Sequence, residues 1–183
     1  MSRYELFDRR QIVLADLKER GHDLRAADCL PLLAPSQPYA HPEYGDLIGA
    51  IVEARRNHRP VIAMIGGHPI KLGLARYLVD LIERRIITHL ATNGAGIIHD
   101  FELAMAGGTS ENVPKWIERG QFGLWRETSR LNDLIAQAAA GGDGLGETVG
   151  RAIEEQHFAH RDLSLAAAGW RSGVPVTAHV SPP

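Results

Sequence analysis

The chain has 183 residues, a formal charge of −2, 44% hydrophobic and 23% charged residues, which suits one packed globular domain with at most a small appendage. Its positive charge is not concentrated enough for a nucleic-acid footprint, and no run approaches the ~20 apolar residues of a membrane-spanning helix. The single cysteine, Cys29, excludes an internal disulfide and a cysteine-based zinc site, and reads as a buried spare thiol.

"MSRYELFDRRQ" has no apolar core behind its charges, so a secretory signal is not expected and a cytoplasmic location is. Residues 1–45 read as an N-terminal extended arm, with four prolines between 28 and 45. Residues 46–183 read as one α/β domain. "DLIGAIVEARRNH" carries apolar residues at 47, 48, 51 and 52, one face of a helix. Pro60 ends it and introduces "VIAMIGG", a short apolar run suited to a buried parallel strand. Apolar positions 70, 74, 78, 81 and 82 predict a helix over 70–85, and "IITHLATN" is a second buried strand. Helices are then expected over 121–142, 144–156 and 162–173, and "VPVTAHV" is a third strand. Strand, glycine turn and helix, repeated, imply a parallel sheet with right-handed crossovers. Three clear strands are few for this architecture, so the sheet is expected to be incomplete at its C-terminal end or completed by a partner.

Ligands of such sheets bind beyond the carboxyl ends of the strands, which places Gly66–Lys71 and Thr92–Asp100 on one rim. In "IGGHPIKLG", Gly66 and Gly67 permit close backbone approach, and His68 and Lys71 offer polar reach to a phosphate or carboxylate. The same stretch also reads as a plain strand-to-helix turn. In "TNGAGIIHD", Thr92, Asn93, Gly94 and Gly96 sit where the second strand must turn beside the first. His99 is a candidate acid/base and Asp100 its orienting partner, with Glu102 a binder of a substrate ammonium group. The competing reading has Asp100 capping helix amides and His99 as a satisfied polar residue. Thr109 or Ser110 would cap a short helix starting near Glu111. The nine histidines hold no HExxH pattern, and the His157–His160 pair is a weak metal candidate.

From Val61 to about Asn112, "GGHPIKLG" and "TNGAGIIHDFE" resemble the deoxyhypusine synthase family, and "GVPVTAHV" is similar to a later strand of it. The resemblance implies a Rossmann-like domain that binds NAD, a homo-oligomer with a tetramer favoured, and removal of hydride from an amine. It assigns Gly66, Gly67, His68, Thr92, Asn93, Gly94 and Gly96 to the cofactor, His99 and Asp100 to catalysis, and Glu102 and Lys71 to an amine or amino-acid substrate. "IIHDFE" is also similar to the His-Asp-x-Glu signature of NAD-dependent ornithine cyclodeaminases. The family has acids where Ile98 and His99 stand here, and a lysine that receives the transferred group falls in a region with no counterpart before Pro183. Formation of deoxyhypusine by this chain alone is therefore not expected. A non-catalytic nucleotide-binding or assembly module is the alternative class.

Overall fold

Short β-prone stretches separated by amphipathic ones build the expected alternation, seen in a computed structural model that describes residues 3–33 and 39–180. The middle of the proline-rich stretch, residues 34–38, and the final "SPP" lie outside the described residues. In chain order come β1 (Leu24–Arg25), α1 (Tyr44–Arg56), β2 (Ile62–Met64), α2 (His68–Lys71), α3 (Ala75–Glu83) and β3 (His89–Asn93). They are followed by α4 (Gly94–Ala106), β4 (Gly108–Thr109), α5 (Val113–Glu118), α6 (Arg130–Gly141), α7 (Leu145–Glu155), α8 (Leu165–Ser172) and β5 (Val176–His179). The sheet is β2-β3-β5, three strands and all parallel, with helices against it. The protein is thus a mixed α/β fold compatible with a Rossmann-like arrangement. A separate two-stranded antiparallel pair joins β1 to β4.

Two helices begin or break elsewhere than the periodicity predicts. The helix expected over 70–85 is two, α2 and α3, because Gly73 adopts φ +78° between them. A Cβ at Gly73 would come 3.1 Å from the Asp28 carbonyl and 3.3 Å from Cys29 Cα, so the N-terminal segment occupies that corner. The stretch expected as a glycine turn after the second strand is the first turn of α4. Asn93 caps it, its Oδ1 accepting from the Gly96 amide at 2.9 Å. α4 ends at Gly107, φ +64°, in the left-handed conformation usual at this position. Residues 121–129, expected as helix, are turns around the buried Trp125, and α6 starts only at Arg130. The short helix α5 is capped by Asn112, rather than by Thr109 or Ser110.

The N-terminal segment is irregular, as its composition suggests, yet residues within 15–29 are structural. Leu17, Leu24 and Cys29 are buried, and Ala15 bridges to Trp125. Cys29 belongs to the main core together with Leu90 of β3, Ile82 of α3, Phe101 of α4 and Ile153 of α7. Among the described residues no helix is long and apolar enough to cross a membrane.

Register fixes which sheet residues share a face. Ala63, Leu90 and Val176 stand in one row and belong to or pack against the core. The opposite rows hold Ile62 beside His89, and Met64 beside Ala91 and Thr177, and none of these belongs to the core. Ile62 is 55% exposed and Met64 82%.

Candidate functional site

The carboxyl ends of β2 and β3 bring the two predicted stretches together. Gly67 closes the gap between them. A Cβ there would come 2.6 Å from the His99 ring and 3.3 Å from the Ala95 carbonyl, so the His99 imidazole rests against bare backbone. Gly96 is equally constrained, since a Cβ would strike the Thr92 hydroxyl. These two glycines therefore face neighbouring protein atoms. Gly66 and Gly94 are freer, with nearest contacts of 3.5 Å to Asn93 Nδ2 and 3.4 Å to Val180 Cγ1. Thr92 is buried on the core side of β3, and among the described residues its hydroxyl has no hydrogen-bond partner. Asn93 and His68 are exposed, and Lys71 is half-buried.

His99 lies on the second turn of α4 and is half-buried. Its Nδ1 is 2.8 Å from Thr109 Oγ1, and the Thr109 hydroxyl donates to Glu102 Oε2 at 2.8 Å. A threonine hydroxyl has one hydrogen, and a carboxylate only accepts. With that hydrogen given to Glu102, Thr109 accepts from His99 Nδ1–H, which leaves the Nε2 lone pair available. Burial pushes the His99 pKa below its ordinary value. The Glu102 charge pulls it upward, and Lys71, Arg20 and His68 add to the lowering. A neutral imidazole of defined tautomer results.

Behind that histidine is a buried polar network. Arg20 grips Glu102 with two hydrogen bonds of 2.9 and 2.8 Å, and Thr128 donates to Glu102 at 2.7 Å. Arg20 also reaches Glu111 at 3.5 Å, and its guanidinium lies over Trp125, 5.5 Å from the ring centroid. The Trp125 indole donates to Glu111 at 3.0 Å. Burial pushes the Glu102 pKa up, but the Arg20 hydrogen bonds and charge, with Thr128 and Thr109, outweigh it and hold it below its ordinary value. Glu102 is 2% exposed and engaged by three side chains, so its carboxylate is positioned to orient Thr109 and through it His99. A free surface for a substrate ammonium is not what this carboxylate presents.

Asp100 serves a different end of the fold. Its Oδ2 accepts from the Ser164 hydroxyl at 2.7 Å and the Ala166 amide at 3.2 Å, and its Oδ1 from the Leu165 amide at 2.6 Å. It thereby satisfies the first amides of α8, the capping role that competes with orienting His99. Complete burial pushes its pKa up to about 6, against the lowering effect of those three hydrogen bonds.

Beside the first turn of α4 is an open cleft of about 560 Å³, lined by Gly94, Ile97, Ile98, Thr128, Asn132 and Val180 among others. Its walls are mainly aliphatic with a few hydroxyl and amide groups, the usual make-up of a small-molecule site. Thr128 belongs both to the cleft and to the Glu102 network. Sequence reasoning missed Arg20, Thr128 and the linking role of Thr109. Arg20 sits in "LKERGHDLR", which reads as a solvated charge run, and its partner is 82 residues away. Among the described residues no group of three His, Cys, Asp or Glu side chains is arranged to hold a metal.

The site and sheet define a mixed α/β protein with polar groups gathered at the carboxyl rim of a parallel sheet. Against known proteins, no family model matches the chain, and no curated protein is detectably similar to it.

Proposed function

We propose that this protein is a deoxyhypusine synthase-like, NAD-dependent enzyme that oxidises an amine or amino acid, with His99 as the proton acceptor. The observation that carries the reading is the Glu102–Thr109–His99 chain, which fixes the tautomer of the imidazole with Nε2 free, while burial favours its neutral form. NAD, when bound, supplies the acceptor for the substrate hydride. Lys71 contributes positive charge near the rim for its phosphates and the exposed His68 a polar contact, and the cleft beside Gly94 suits an apolar ring bearing polar edges. Gly67 and Gly96 act indirectly, by letting His99 and Thr92 pack where they do. A homo-oligomer, with a tetramer favoured, belongs to the same reading.

Thermal denaturation with NAD, NADP and ADP-ribose tests cofactor binding. A ligand at about 100 times its dissociation constant adds about 2.7 kcal/mol. Gly94→Val fills the cleft wall, where an added Cβ comes 3.4 Å from the Val180 side chain, so it is expected to abolish the NAD effect while unfolding remains cooperative. Undiminished NAD stabilisation in that variant removes Gly94 from the cofactor site. For Gly96, a Cβ would strike Thr92, so loss of binding there would report on folding instead.

Absorbance of the reduced cofactor with spermidine, ornithine and related amines tests the chemistry. His99→Ala is expected to slow NADH formation by about 100-fold or more, the usual scale for a general base. In the wild type, the acidic limb of the rate profile is expected below the ordinary imidazole value of 6.5. An unchanged rate in His99→Ala would remove His99 from the mechanism.

The second reading, a nucleotide-binding or assembly module without catalysis, is favoured by the full engagement of Glu102 with Arg20. NAD stabilisation without NADH formation from any amine supports that reading over the first.

A further inference from the structure

Parallel sheets are almost always covered on both faces, because both rows of side chains are apolar and the crossovers place helices over them. Here one face is covered and the other carries Ile62, Met64 and Ala91 outside the core. The same chain holds an unused helix. α1 buries none of its 13 residues, and Tyr44, Leu47, Ile48 and Val52 are exposed large apolar side chains. Leu47, Ile48, Ile51 and Val52 follow the i, i+1, i+4, i+5 spacing of a single helical stripe. Within one chain the two surfaces do not meet, since Met64 stays 82% exposed.

We propose that a second copy of this chain covers the open sheet face with its α1, and that the exchange is reciprocal. The two surfaces match in dimension and chemistry. A 13-residue helix is about 20 Å long, close to the ~17 Å of a five-residue strand such as β3, and about as wide as two strands. The apolar part of the open face lies on β2 and the middle of β3. Its far side carries the polar row in which His89 and His179 each bond the Thr177 hydroxyl, at 2.9 and 2.8 Å. One helix laid over Ile62, Met64 and Ala91 thus completes the apolar layer and leaves that polar row free. A two-fold axis relates the contacts, so each copy gives one helix and receives one. The proposal concerns the sheet face opposite the core and does not depend on cofactor binding or on His99.

Sedimentation or light scattering at micromolar concentration tests it, using Ile48→Glu on α1 and Met64→Lys on β2. The wild type is expected to have twice the mass of one chain or an even multiple of it. Each variant alone is expected to weaken self-association by about 100-fold or more, with its helical signal intact because both side chains are exposed in the single chain. Mixing the two variants is expected to restore dimers, since α1 of the Met64→Lys copy meets an unaltered sheet on the Ile48→Glu copy. A monomeric wild type overturns the proposal. Dimers of Met64→Lys with monomers of Ile48→Glu overturn it in favour of helix-to-helix packing. A mixture that stays monomeric overturns the reciprocal exchange.

Discussion

Arg20→Met is expected to lower the unfolding free energy by about 3–5 kcal/mol, the usual cost of removing one partner from a buried ion pair. Arg20 is 5% exposed, and its side chain stands between Glu102 and Glu111, both carboxylates enclosed with it. Methionine keeps much of the stem's packing on Trp125 but leaves two carboxylates without a cation. Glu102 would then take up a proton more readily, because burial alone pushes its pKa upward. In the wild type that pKa is lowered, so its stabilising contribution is present above its ordinary value of 4.5 and is lost as pH falls through the folded value. Urea denaturation at neutral pH measures the loss, and repeating it under mild acid tests the sign. A loss under about 1 kcal/mol would mean the pair contributes like an exposed one.

Asp100→Ala is expected to cost about 2–4 kcal/mol at neutral pH, because it strands the Leu165 and Ala166 amides and the Ser164 hydroxyl inside the core. Ser164 is itself the cap of α8, accepting from the Ala167 amide at 3.0 Å, so both capping groups of this helix are disturbed together. The pH dependence runs opposite to that of Glu102. Asp100 has a folded pKa raised from 3.8 to about 6, so the folded state holds the proton more tightly between those values. Wild-type stability from this group is greatest below 3.8 and falls as pH rises through about 6. The deficit of the alanine variant is accordingly expected to be larger at pH 5 than at pH 7, by about 1 kcal/mol. Denaturation curves at the two pH values check it. An equal deficit at both would show that Asp100 is charged throughout, and that α8 is held by the charged carboxylate alone.

The sequence by itself determined the alternation of strands and helices and the rim on which the candidate residues stand. The apolar runs at 61–67, 86–93 and 174–180 become β2, β3 and β5, because strand formation by short β-branched and aliphatic runs is a local tendency. Helical spacing in α1, α7 and α8 is local in the same sense and was placed to within a few residues.

What each polar residue does was decided only by tertiary structure. "HDFE" presents His99, Asp100 and Glu102 as one cluster, yet α4 turns successive side chains about 100° apart and sends them to different neighbours. Asp100 meets the amides of α8, and Glu102 meets Arg20, while His99 turns to Thr109. The partners of Asp100 and Glu102 lie 65 and 82 positions away, so no spacing within the motif encodes them. The corner at Gly73 is of the same kind, filled by Asp28 and Cys29 from a segment whose prolines read as a loose arm. Covering one face of the sheet while leaving Met64 and the α1 stripe open is likewise a property of packing, because alternation in a strand marks two faces without saying what lies on either.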